Sequence, residues 1–417
     1  MAAAIPALAA QPASLVVVSR HRPDALLRAI TGIGQMDHPC FELIVVADPA
    51  ACAAVQALGL PVKLVAYDEP NISAARNLGL AQAASDVVAF LDDDAVPEPT
   101  WLSRLVAPFA DERVVAAGGF VRGRNGISYQ WRASMVDYLG QDQPLDVDHG
   151  AVSLHAGTAA LAVKTQGTNC AFRRADLLAI GGFDPAYRFY LDEADVNLRL
   201  AARGGLTAIV PGAQVHHGYA ASARRRGDRV PLSLHEIGAS SMVFLRRHAP
   251  QRDWPAALAT LRAGQRARAL RHMVSGGLEP RQVAALLDSL ERGLAEGRAR
   301  PPPVSQPLLP DPPAFLALPG TGPRPGRLIA GYRRDRRALL HEARLVAAGG
   351  AIVTLLCLGL HARPHRQMFS PDGFWIQDGG LFGPADRSEP RLCRTTLARR
   401  ADAEAQRLAP FRPVGPA

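Results

Sequence analysis

The first hundred residues alternate short apolar runs with stretches of helical period, and few architectures accept that alternation. Leu15-Val16-Val17-Val18 reads as a buried strand. Pro23-Asp24 then opens a helix whose Leu26, Leu27, Ile30 and Ile33 recur at helical spacing. Leu43 to Val46 is a second strand ending at Asp48-Pro49, Ala50 to Leu58 a short helix, and Val62 to Ala66 a third strand. Ser73 to Ala84 is helical, and Val87 to Leu91 forms a fourth strand. Strands that are apolar throughout are buried on both faces, and helices between them make the strands parallel. The expected fold class is therefore α/β: a Rossmann-like, mostly parallel sheet with helices on both faces.

Further along the pattern changes. Trp101 to Phe109 reads as a helix and Val114 to Ala117 as a strand, while residues 122–165 suggest loops and short strands. Regularity returns at Thr168 to Arg173, and a helix from about Asp192 to Arg203 and a strand at Leu206 to Val210 follow. Past residue 251 two stretches, 255–273 and 280–296, are helical and rich in Ala, Leu and Arg. Pro301-Pro302-Pro303 begins a proline-rich segment that reaches Pro325 and reads as an extended linker. A helix at 334–347 and a strand at Ala351 to Leu358 then suggest a small α/β extension. The expected organisation is a flexible N-terminus at 1–13, a catalytic domain at 14–250, a helical extension at 251–300, a linker at 301–326 and a C-terminal region at 327–417 without an assigned role.

Composition narrows the setting. The chain is 48% apolar and carries a net charge of +9, which suits anionic ligands such as nucleotides or a membrane surface. No basic stripe interleaved with aromatics is visible, so nucleic acid is not an expected partner. The five cysteines are scattered and lack C-x-x-C spacing, as in a reducing compartment. Met1 to Ala13 is apolar but lacks the positive start of a signal peptide. The longest apolar stretch, Leu345 to Leu360, is broken by glycines and falls short of the roughly 20 residues that span a bilayer. A cytoplasmic protein is expected, with peripheral contact at the membrane's cytoplasmic face left open.

The chemistry concentrates in three places. Asp92-Asp93-Asp94 closes the fourth strand, at the sheet edge where open α/β sheets bind ligands. Crowded carboxylates repel one another, and a divalent cation with a phosphate completing its coordination is their natural partner. The Asp-x-Asp spacing serves two chemistries: nucleotide-sugar transfer, and phosphate-ester hydrolysis of the haloacid-dehalogenase type. Position favours the first, because the phosphatase motif sits on the first strand of its core and three strand–helix units precede this one. The second place is Asp192-Glu193-Ala194-Asp195-Val196-Asn197-Leu198-Arg199, where Leu191, Ala194, Leu198 and Ala201 make one apolar stripe. Asp192 and Glu193 lie at a helix N-terminus, which favours negative charge, and Asp195 and Arg199 have the spacing of a surface ion pair. A carboxylate there can serve as the base for an attacking hydroxyl, or can merely cap the helix. The third is His216-His217, where an imidazole can join a carboxylate-rich manganese site or remain a polar loop residue. Asp48 can accept from a base ring N–H or simply start a turn before Pro49, and Arg76 can meet base or phosphates or stay solvated on its helix.

Taken in order, these segments resemble the inverting glycosyltransferases of family 2, whose fold is called GT-A. The resemblance covers roughly residues 13–245 and rests on six pieces: Ser19-Arg20-His21-Arg22-Pro23, Glu42 to Asp48, Ser73 to Gly79, Phe90 to Asp94, Gly181-Gly182-Phe183-Asp184, and Asp192 to Arg199. It implies a metal (Mn2+ or Mg2+) held by Asp92, Asp94 and His217. It implies donor contacts from Ser19, Arg20, Asp48, Arg76 and Asp93. The catalytic base is expected to be Glu193, with Asp192 beside it. The usual order of Glu and Asp is swapped here, which leaves both as candidates. The implied partners are a nucleotide-sugar donor, a uridine diphosphate sugar by default, and a glycan or lipid-linked acceptor. The alternatives are the phosphatase, and a domain that binds nucleotide without turnover.

Overall fold

The computed structural model describes residues 11–218, 224–301 and 311–415. Most of the N-terminal segment and residues 302–310 of the proline-rich segment lie outside the described residues. Strand β1 (Ala13–Val18) pairs in parallel with β2 (Phe41–Ala47) and with β4 (Val87–Asp92), and β2 pairs in parallel with β3 (Lys63–Ala66). Helices α1 (Pro23–Ile33), α2 (Pro49–Gln56) and α3 (Ile72–Gln82) connect them. Each strand serves two cores, because successive side chains point to opposite faces. Leu15 and Val17 pack with Leu26, Ile30 and Ile33 of α1 on one face. Val16, Val88 and Phe90 pack with Ala75 and Leu80 of α3 on the other.

Beyond β4 the strand Cys170–Arg173 enters between β4 and the strand Val114–Arg122, antiparallel to both. The strand Leu206–His217 then lies parallel to Val114–Arg122, with Ser153–Ala156 at its far edge. The architecture is thus α/β with a mostly parallel sheet, as the strand–helix alternation requires. One expectation is corrected here: the strand beginning at Leu206 does not end at Val210. It crosses Pro211-Gly212 through a register shift between Val210 and Gln214 and runs on to His217. The proline cannot donate to the ladder, so the chain bulges there before pairing resumes at Gln214.

The later segments fold onto this sheet. The helix His235–His248, absent from the sequence expectation, packs along Pro280–Ala299; Gly293 and Gly297 allow that approach, because a Cβ on either would strike His235 or Ala239. A second sheet has the order Gly326–Tyr332, Ile352–Gly359, Trp375–Gly380, Arg366–Phe369. Its first three strands are parallel and its last is antiparallel. The helix Arg336–Ala348 packs on Val353 and Leu355, and the helix Leu397–Leu408 on Leu328 and Leu356. Among the described residues no helix is long and apolar enough to cross a membrane.

Candidate active site

The parallel register sets Asp92 beside Val18, so the ends of β1, β2 and β4 bring Ser19, Asp48 and Asp92 to one sheet edge. Immediately after the acidic triplet, β5 (Ala95–Pro97) pairs antiparallel with the end of the long strand: Ala95 with His217, Val96 with His216, Pro97 with Val215. Alternation along that strand turns His217 toward the carboxylates and His216 away from them. One ligand atom each from Asp92, Asp94 and His217 falls within 4.8 Å of the others. His217 Nε2 lies 3.1 Å from Asp94 Oδ1. Its Nδ1 is 3.0 Å from Gln130 Oε1, an acceptor, so Nδ1 donates there and Nε2 faces the acidic side.

The electrostatics suit a cation. Burial raises the Asp92 carboxyl, Arg76 opposes the shift, and the neighbouring Asp94 adds to it. Burial would lower His217, but the bond to Asp94 and the charges of Asp94 and Asp92 outweigh it and leave it raised. Two carboxylates and one imidazole are a donor set that fits Mn2+ or Mg2+, with positions left for phosphate oxygens.

Asp93 points elsewhere. It is fully buried, accepts from Ser19 Oγ at 2.6 Å and pairs with Arg22 Nη2 at 2.6 Å. Burial, eased by Arg22, pushes its carboxyl up to about 7. Ser19 and Asp93, both expected to contact the donor, bind each other here and tie the β1 loop to the end of β4. Arg22 is the residue that reaches both sides, since its Nη1 lies 3.5 Å from Asp94 Oδ2. Arg20 pairs with Asp68 at 2.9 Å on the rim, and His21 Nε2 meets the same carboxylate. Asp48 caps α2 by accepting from Ala51 N, and its other oxygen accepts from His21 N at 2.7 Å.

The second carboxylate group arrives on the helix Asp192–Ala201. Tyr190 and Leu191 precede it with φ of 76° and 66°, a left-handed conformation unusual for bulky residues and held by the surrounding packing. That turn aims Asp192 and Glu193 inward. Arg76, buried at 2% exposure, pairs through Nη1 with Asp192 and lies 3.5 Å from Glu193 Oε1. Its Nη2 lies 3.6 Å from Asp92 Oδ1. One guanidinium therefore spans both carboxylate groups. Glu193 Oε1 also accepts from Gly167 N at 2.9 Å. Burial raises both carboxyls, but Arg76, the Glu193 backbone N–H and the bond to Asp192 hold Glu193 below its ordinary value, and the charge of Glu193 adds to burial in driving Asp192 well above its own. Of the two carboxyls, Asp192 is the one held higher and Glu193 the one held lower.

Asp195 and Arg199 pair as their spacing suggests, but not on the surface. Asp195 is fully buried, bound by Arg199 Nη2 at 2.6 Å and His248 Nε2 at 2.8 Å. Asn77 of α3 pins the Gly181-Gly182-Phe183 turn, donating to Phe183 O and accepting from Phe183 N. Sequence reasoning missed Gln130, Gly167 and His248. Only Gly167 left a trace, as a glycine before a strand; a Cβ there would collide with Arg76 and Glu193.

Residues 10–227, just over half of the chain, match the family model described as glycosyltransferase-like family 2, and the chain belongs to that family. A pre-mycofactocin glycosyltransferase of Mycobacterium tuberculosis is 28% identical over 221 residues, covering 51% of this chain and 43% of that protein. The O-antigen biosynthesis protein RfbC of Myxococcus xanthus is 26% identical over 350 residues, covering 69% of this chain and 26% of RfbC. The chain thus spans less than half the length of these relatives. Among solved structures, GalNAc-T7 with UDP, GalNAc and Mn2+ aligns with a TM-score of 0.43 at 15% identity, covering 57% of this chain and 48% of that one. The mannosyltransferase PcManGT of Pyrobaculum calidifontis with GDP-Man and Mn2+ aligns at 0.42 and 18% identity, covering 69% of this chain and 86% of that one.

Proposed function

We propose that the protein is a metal-dependent inverting glycosyltransferase. It moves a sugar from a nucleoside-diphosphate donor to a hydroxyl of a glycan or glycolipid, in cell-surface polysaccharide synthesis. One observation carries the reading: Arg76 joins the Asp92, Asp94 and His217 cluster to the carboxylate pair Asp192 and Glu193. Asp92, Asp94 and His217 would hold the cation. When bound, it supplies Lewis-acid stabilisation of charge on the departing diphosphate.

The chain's own residues account for the other half of the reaction. Glu193 accepts the proton of the acceptor hydroxyl. The hydroxyl oxygen forms its bond to the anomeric carbon as the bond to the diphosphate breaks, and that electron pair leaves with the diphosphate. Arg76 lowers the Glu193 carboxyl beforehand, and Gly167 N–H holds it in place. A single displacement of this kind inverts the anomeric centre.

The test is nucleoside-diphosphate release from uridine, guanosine and thymidine diphosphate sugars, with Mn2+ or with chelator. Release with one donor class, abolished by chelator and by Glu193→Gln, is expected. Mn2+ and donor binding without any turnover across acceptor panels would favour a nucleotide-binding module and overturn the proposal.

A further inference from the structure

The C-terminal sheet meets the strand of His217 from behind. His216 points away from the acidic site, and its Nε2 lies 2.8 Å from Glu98 Oε1. Glu98 follows β5 and is 1% exposed. Arg412, fully buried near the chain's end, pairs with both Glu98 oxygens, Nε to Oε2 at 2.8 Å and Nη2 to Oε1 at 2.5 Å. Trp375 of the second sheet covers both partners of Glu98. Its ring lies 3.7 Å from the Arg412 guanidinium carbon and 4.6 Å from the His216 ring centre. The same tryptophan packs with Val96 of β5, together with Ile352 and Phe369. A buried carboxylate is costly without a partner, so Glu98 and Arg412 hold one another tightly.

A second contact reaches the other support of His217. Gln130, which binds His217 Nδ1, sits in the strand Tyr129–Trp131 beyond the turn at Asn125 to Ser128. The C-terminal unit braces that turn twice. Gln367 N donates to Asn125 O at 2.7 Å, and Arg387 Nε donates to Ser128 Oγ at 2.7 Å. Gly126 stands at φ 66° against the Gln367 backbone, where a Cβ would not fit. Both the strand of His217 and the hairpin that orients its ring are therefore anchored to residues 326–415.

We propose that this C-terminal unit is a positioning element of the transfer site. By clamping Glu98 and His216 through Arg412 and Trp375, and by bracing the Gln130 hairpin through Gln367 and Arg387, it fixes His217 against Asp92 and Asp94. Partners that orient metal-binding residues set metal affinity, so the consequence is measurable without turnover. The inference rests on the metal reading of the preceding subsection.

The test is calorimetric titration of the full chain with Mn2+ alone. Arg412→Met and Arg387→Ala should weaken Mn2+ binding by about tenfold or more. Saturating Mn2+ should then restore turnover, separating metal affinity from kcat. Arg344→Ala breaks a surface pair with Asp372 in the same unit, away from this contact, and should change neither. Arg412→Met removes half of a buried pair, so its fold is checked by circular dichroism; if it is lost, the surface variant Arg387→Ala decides. Unchanged Mn2+ affinity in the folded variants overturns the proposal. His217→Ala and Asp94→Asn separate the two readings: if they abolish Mn2+ binding while the C-terminal variants do not weaken it, only the positioning role falls. If they leave binding intact, the metal reading falls and takes this proposal with it.

Discussion

Arg76 and Asp192 form a buried ion pair, each side chain only 3% exposed, and the same guanidinium reaches Asp92 and Glu193. Removing it with Arg76→Met leaves buried carboxyls without their cation. A loss of about 3–5 kcal/mol of stability is expected, read by denaturant melts. Glu193 would also lose the charge that holds its carboxyl down. The acid limb of the kcat/KM profile should therefore move to higher pH. An unmoved limb would show that Arg76 does not set the base.

The two candidate bases should separate by substitution. Glu193→Gln should lower kcat by about 10²–10⁴, the usual worth of a positioned base, while leaving Mn2+ binding near normal. Asp192→Asn substitutes a neutral group of similar shape for the carboxyl that burial and the Glu193 charge hold well above its ordinary value, so its effect should be smaller. The reverse order of severity would assign the base to Asp192.

Gly167 offers a third probe. A methyl group at this position meets both Arg76 and Glu193. Gly167→Ala should displace the Glu193 carboxylate and cut turnover by about 10²-fold, the scale of a small misplacement in a catalytic group. Thermal stability should fall far less than in Arg76→Met. Equal losses of stability would mean that the glycine serves packing instead.

Acid stability should depend on Asp195. Burial opposes its charge, but Arg199, His248 and Arg247 outweigh burial and hold its pKa at about 2. The unfolded chain binds that proton near the ordinary value of about 3.9. Its contribution is complete above the unfolded value and is lost as pH falls toward 2, amounting to about 2–3 kcal/mol. Urea melts of native chain and Asp195→Asn should therefore differ most above pH 5 and converge near pH 2.

Much of this was legible before any coordinates. The first four strands and three helices follow from apolar runs and helical spacing, because those segments bury faces whose periods differ. The acidic triplet was legible as a strand end. The burial of Asp195 was not, since Asp195 and Arg199 carry the spacing of a solvated pair, and His248, on a helix the sequence did not announce, helps to enclose them. Asp93 was equally opaque: a triplet gives no sign of which carboxylate turns inward, and Ser19 and Arg22 decide it. Gln130 stands in a stretch without clear period, so its meeting with His217 exists only in three dimensions.

The irregularity at Pro211-Gly212 has a last implication. Two adjacent histidines do opposite jobs because of a phase that this bulge establishes. Losing one residue between Val210 and Gln214 would carry His217 into the place of His216, against Trp375, and leave Gly218 opposite the acidic triplet. Length in that short stretch is therefore under tighter constraint than its residue types, and homologous chains should tolerate substitutions there but not gaps.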